Sequence, residues 1–215
     1  LASVGWLMAL LLAVHPQDPQ LRLLRQAAQL LDHGAAAAIP TDSCYALACH
    51  LGDKAAADRI RQIRRIDERH LLTLLCRDLS EIAAYAKVDN VQYRLLKQVT
   101  PGPYTFILEA TREVPRRLSH PSRKTIGIRI PAHPVAVGLL DVLGQPLIST
   151  TLQLPGDELP LNDAEHIVDR LGHDLDLVVD AGACGVEPTT VVDLTGREAV
   201  LVRRGRGPIE ALGLQ

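Results

Sequence analysis

Strand-length apolar runs dominate the second half of the chain. YTFILEA (104–110), KTIGIRI (124–130), QPLIST (145–150), LDLVVD (175–180), TTVVDL (189–194) and AVLVRR (199–204) are all of this kind. Each is bounded by turn residues, and four to eight such residues read as a buried or half-buried strand. HPVAVGLLDVLG (133–144) and DAEHIVDRLG (163–172) lie between them and carry helical spacing instead. Strands alternating with helices lead to an α/β fold. The four-residue spacer TGRE between the last two runs predicts a closing hairpin, and therefore a mixed, twisted sheet with flanking helices.

The first half continues the alternation. HPQDPQLRLLRQAAQLLDHG (15–34) predicts a helix with Asp18 as N-cap, Pro19 in the first turn and Gly34 at the end. Leu21, Leu24, Ala28 and Leu31 mark its apolar face. AAAAI (35–39) reads as a short strand, Asp53 opens a helix expected through residue 66, and LLTLLC (71–76) is another apolar run. Two short helices fill 78–100. LASVGWLMALLLAV at the start lacks a basic leader or a small-residue cleavage site and is too short to span a bilayer. Residues 7–14 are read as a buried strand and the cytoplasm as the location. No repeat, linker or composition break divides the chain, so one domain over 1–215 is expected.

Composition narrows the partners. The 215 residues carry a formal net charge of −2, giving no global case for a nucleic-acid or membrane partner. Locally, DRIRQIRRIDERH (58–70) concentrates arginines, including Arg61, Arg64 and Arg65. The simpler reading of that cluster is a solvated helix face; the functional one is an RNA-backbone contact. Cysteines at 44, 49, 76 and 184 form no Cys-x-x-Cys pair, and no histidine spacing suggests a metal site. Buried small apolar residues are the expected role for all of them.

Polar groups gather at predicted strand ends, where open α/β sheets bind ligands. They are Thr41 and Asp42 in PTDSCYALAC, Arg129 in RIPAHP, Ser149 to Thr151, Thr189 and Thr190, and Arg203. Hydroxyls and arginines without a nucleophile–base pair suggest anion binding. Neither of the common phosphate loops, G-x-x-x-x-G-K-[ST] or G-x-G-x-x-G, occurs. PTDS is equally a simple turn, and by spacing alone the choice stays open.

The motifs carry more. PTDSCYAL resembles the Pro-Thr-[Asp/Glu]-[Thr/Ser]-x-Tyr-Gly-Leu element of the YrdC-like family, and TPGPYTFIL, RIPAHP and PTTVVDL resemble its later elements in the same order. The likeness spans about residues 10–210, and TLLCRDLSEIAAYAKVDN with RKTIGIRIP is most similar to the YciO branch. The resemblance implies a twisted mixed sheet with a concave basic face. It also implies synthesis of threonylcarbamoyl-AMP from ATP, L-threonine and bicarbonate with Mg2+, feeding a tRNA modification. On it, Thr41, Arg129 and Thr189 would hold the amino acid, and Ser149, Thr151 and Arg203 the nucleotide. Arg64 would take the place of a catalytic lysine, and Arg61, Arg64 and Arg65 would contact tRNA or double-stranded RNA.

Departures accompany the likeness. Ile66 stands where the synthases carry arginine, Gln153 where they carry asparagine, Ala46 where they carry glycine, and Leu75 where several carry histidine. The resemblance therefore implies reduced or altered activity. Two alternatives stay open beside it: an RNA-binding protein without synthase chemistry, and a nucleotide or carbamoyl hydrolase using the same pocket.

Overall fold

The computed structural model describes residues 8–214. Ten strands form one sheet: β1 (Leu10–Ala13), β2 (Ala37–Ile39), β3 (Ala46–His50), β4 (Thr73–Leu75), β5 (Tyr104–Glu109), β6 (Thr125–Arg129), β7 (Leu147–Thr151), β8 (Leu177–Asp180), β9 (Thr190–Asp193) and β10 (Val200–Arg203). Their spatial order is β1-β8-β2-β3-β7-β4-β6-β5-β9-β10. The pairs β1–β8, β2–β8, β4–β6 and β5–β9 are parallel; the other neighbours are antiparallel, including the terminal β9–β10 hairpin. The mixed sheet and its closing hairpin are as the sequence predicts.

Six helices flank the sheet: α1 (Leu21–Asp32), α2 (Lys54–Arg64), α3 (Leu79–Tyr85), α4 (Asn90–Val99), α5 (Pro134–Leu143) and α6 (Ala164–Leu171). Side chains alternate across each strand, so the two sheet faces are separate environments. Leu47, Leu74, Phe106, Ile128, Ile148 and Val192 point to one face, where they build the main core with residues of α2, α3, α4 and α6. The other face is only half covered. There α1 and α5 pack on Ala37, Ile39, Ala46, Ala48, Leu147 and Val179, and their cluster stops at Leu75. Beyond that point the same face presents Thr73, Thr105, Gly127, Ser149 and Val191 to an open cavity. Small side chains on β2 and β3 let α1 lie close, which explains a strand made largely of alanine.

Several boundaries differ from expectation. The first strand begins at Leu10, and residue 7 lies outside the described residues. β1 is an edge strand with Leu10 and Leu11 exposed and Leu12 buried, so it is not the buried strand expected. Helix α1 starts after Gln20 rather than Asp18, and no side chain caps it. The preceding residues fold on themselves instead: His15 Nδ1 accepts the Gln17 and Asp18 amides, and Gln20 Oε1 accepts the His15 amide. That turn shifts the apolar face, burying Ala27 and leaving Leu21 exposed. Asp53 caps α2 as expected, its carboxylate accepting the Ala56 amide at 2.8 Å. The helix ends at Arg64, however, and Arg65 adopts a left-handed backbone at φ 50°. The ALACH strand β3 escaped the sequence reading, because alanine, cysteine and histidine give no β signal. Central placement and pairing to β2 and β7 hold it in the sheet.

Candidate active site

The open part of the second face forms a cavity of about 350 Å³. Its floor consists of the outward-facing residues of β4, β5, β6, β7 and β9: Thr73, Thr105, Gly127, Ser149, Thr151 and Val191. Gly127 sits at the centre. A β-carbon there would lie 3.0 Å from Thr73 Oγ1 and 3.3 Å from Thr105 Cγ2, so only glycine leaves the floor level. Hydroxyls cross-link the floor: Thr105 and Thr189 share a 2.8 Å hydrogen bond, and Ser149 donates to the Thr73 carbonyl at 3.2 Å.

Two arginines frame it. Arg129, at the end of β6, is 6% exposed and donates to Asp42 Oδ1 and, at 3.3 Å, to Thr41 Oγ1. Burial lowers its proton affinity, and the Asp42 carboxylate works against that loss. Arg203, at the end of β10, is held by the Thr189 carbonyl at 2.9 Å and by Thr189 Oγ1 at 3.3 Å. Both arginines line the cavity. A guanidinium fork matches carboxylate and phosphate geometry, so the site is built for anions.

The PTDS stretch is both a turn and part of the site. Thr41 donates to the Cys44 carbonyl at 2.5 Å and accepts the Ser43 and Cys44 amides, closing the loop upon itself. It also shares a 3.2 Å contact with the Ser43 hydroxyl and accepts from Arg129 at 3.3 Å. Thr41 therefore sits behind the lining and holds Arg129, while Ser43, Cys44 and Tyr45 reach the cavity. Tyr45, fully buried, donates to the Gly182 carbonyl at 2.8 Å and ties this loop to the one after β8. Desolvation pushes the Cys44 thiol up to about 11, so it stays protonated.

The structure thus gathers Arg129, Ser149, Thr151, Thr189 and Arg203 in one cavity, with Thr41 one contact behind. The arginine cluster does not share one surface. Arg61 is taken up by the turn after α2, donating to the Asp67 carbonyl at 2.6 Å. Arg64 donates to the Gln153 carbonyl, and both burial and the nearby charge of Arg203 disfavour its protonation. Arg65 is exposed and lines a separate groove with Arg59 and Arg170. Arg65 is set apart from the other two because its left-handed backbone ends α2 and redirects the chain.

Of the four departures, Ala46 lines the cavity and the other three do not. Ile66 packs against the main core, and the Gln153 amide holds the following loop through the Asp157 carbonyl at 2.9 Å. Leu75 belongs to the cluster under α1 and α5. In place of residue 66, the turn after α2 sends Arg69 and His70 to the cavity. His70 was not among the sequence candidates, and nothing in its spacing marks it. Thr73 and Thr105 were legible in principle as the polar phase of two alternating strands.

Comparison with known proteins agrees with this arrangement. The Sua5–YciO–YrdC family model, described as telomere recombination, matches residues 29–205. The chain is 50% identical over 197 residues to the uncharacterised protein YciO of Escherichia coli K12, covering 92% of this chain and 96% of that one. The crystal structure of E. coli YciO superimposes with a TM-score of 0.92 at 49% identity, covering 95% and 100% of the two chains. The threonylcarbamoyl-AMP synthase of Mus musculus is 32% identical over 179 residues, 80% of this chain and 62% of the synthase. Sua5 of Pyrococcus abyssi, solved in complex with L-threonine, superimposes with a TM-score of 0.87 at 25% identity, covering 94% and 59%. These synthases are longer proteins, of which this chain spans about three-fifths. The chain belongs to the Sua5–YciO–YrdC family.

Proposed function

We propose that the protein is an enzyme of the threonylcarbamoyl-AMP synthase type. It would condense L-threonine with bicarbonate and transfer the resulting carbamate to the α-phosphate of ATP with release of pyrophosphate. The observation that carries this reading is the placement of Arg129 and Arg203 on one hydroxyl-lined cavity. The reaction brings one anion against another, so its barrier falls mainly through positioning and electrostatic stabilisation. Arg129, steadied by Asp42 and Thr41, suits a carboxylate; Arg203, with Ser149 and Thr151, suits the phosphates. The cavity lining contains no carboxylate among the described residues. Magnesium would therefore be held on the nucleotide phosphates rather than by the protein, where it would supply charge neutralisation.

Purified protein with ATP, L-threonine, bicarbonate and magnesium is expected to release pyrophosphate and form threonylcarbamoyl-AMP. Omitting threonine should abolish both. Product detection by mass spectrometry decides the matter, and pyrophosphate release independent of threonine would favour a hydrolase.

One observation favours an RNA contact at the same place. Arg69, Arg203 and Arg206 are exposed beside the cavity, and the Arg206 guanidinium lies against Gly185 and the Ser43 loop. Binding of tRNA or double-stranded RNA through phosphates would fall steeply with added salt. Replacing Arg69 and Arg206 by alanine should weaken it evenly across sequences, and Arg65→Ala should contribute less. Mobility-shift titrations showing no complex at low salt would remove this reading.

A further inference from the structure

We infer that His70 is the proton acceptor of the cavity, taking a proton from the amino group of the incoming amino acid; this role rests on the synthase reading above. An α-amino group enters largely as ammonium at neutral pH and cannot attack bicarbonate until it loses a proton. The cavity lining offers few groups able to accept one. Arg69, Arg129 and Arg203 are cations without a free lone pair. Cys44 and Tyr45 are held protonated by burial. His70 is the remaining titratable group on the lining among the described residues.

The turn that carries His70 is built to present it. Asp67 accepts the Arg69 amide at 2.9 Å and the His70 amide at 3.3 Å through its carboxylate, and the His70 amide again through its carbonyl at 3.2 Å. Arg61 reaches across from α2 to the Asp67 carbonyl at 2.6 Å and the His70 carbonyl at 3.5 Å, bracing both ends. Those bonds engage the backbone. Among the described residues neither imidazole nitrogen has a hydrogen-bond partner, so the ring is available to a ligand.

Its surroundings keep it in the accepting form. Desolvation lowers the imidazole pKa, and Arg64 and Arg61 from α2 and Arg203 from β10 lower it further, against Asp67 on its own turn. The ring is therefore neutral at physiological pH. The step balances simply. The ammonium passes one proton to a ring nitrogen, and the freed lone pair forms the N–C bond to bicarbonate. Hydroxide leaves with the second amine proton as water, giving the carbamate. The facing arginines disfavour imidazolium, and the exposed position of His70 returns the proton to solvent.

The test is the pH dependence of pyrophosphate release in the parent, His70→Gln and His70→Ala. In the parent kcat/KM should rise with pH through the depressed histidine value, below 6.5, and then level. His70→Gln should lose that limb and about a hundred- to ten-thousand-fold in kcat, the usual span of a general base, with little change in the KM for threonine. Added imidazole should restore part of the rate to His70→Ala, which a purely structural role would not permit. An active parent whose His70→Gln variant keeps both rate and limb overturns the role and leaves the synthase reading standing. A parent that forms no threonine-dependent product overturns the reading, and the role with it.

Discussion

Asp42→Ala is expected to destabilise the protein by about 3–5 kcal/mol, the usual consequence of stranding one member of a buried ion pair. Arg129 is 6% exposed, and the Asp42 side chain beside it is 15% exposed, so neither charge is well hydrated in the folded state. With Asp42 gone, Arg129 keeps only the 3.3 Å contact to Thr41 Oγ1. Its Nε has no partner among the described residues even in the parent. The double variant Asp42→Ala with Arg129→Met should recover most of the loss, because a volume-filling apolar pair avoids both desolvation penalties. It should also abolish binding of a carboxylate ligand. Urea denaturation at neutral pH measures the stability, and threonine binding by calorimetry measures the function. A single variant that unfolds at the parent's midpoint would mean the pair adds nothing net to the fold. The Asp42 carboxylate would then serve only to aim Arg129.

Arg203→Ala should reduce threonine-dependent pyrophosphate release by about a hundredfold or more. Charge-assisted hydrogen bonds contribute about 1.5–3 kcal/mol each, and every 1.36 kcal/mol lost from the transition state slows the reaction about tenfold. One bond thus accounts for roughly ten- to hundredfold, and a bidentate phosphate contact loses two. Arg203 belongs to an exposed hairpin at the edge of the sheet, so its removal should leave the unfolding midpoint nearly unchanged. Arg203→Lys should fall between parent and alanine, retaining the charge without the fork. Steady-state rates with ATP varied at saturating threonine separate the two variants. A rate within twofold of the parent in Arg203→Ala would place the phosphates elsewhere in the cavity.

Both experiments depend on a division of labour within the site. Thr41 and Asp42 form the support, and Arg129 and Arg203 are the groups offered to a ligand. The PTDS stretch therefore acts on the site through Arg129, 87 residues from Asp42 in the chain. A turn-forming hydroxyl and a binding loop are here the same object: one oxygen of Thr41 closes the turn and receives the arginine.

Much of this protein was legible from its residues. Short apolar runs bounded by turn residues, in YTFILEA, KTIGIRI and TTVVDL, marked the strands, since runs of that length suit a strand crossing a sheet. Ordered motifs determined the family and the positions of Arg129, Ser149, Thr189 and Arg203. Local signals did not reach β3, where small residues were selected by the close approach of α1 and the pairing of two neighbours. Nor did they reach the end of α2, where the left-handed Arg65 separates its neighbours: Arg64 turns to Gln153 and Arg65 to another groove. His70 shows the limit most clearly. Its chemistry depends on Arg61 and Arg64 from α2 and Arg203 from β10 facing one imidazole. A one-dimensional pattern encodes which face a side chain takes, but only the packed sheet decides which distant charges share it.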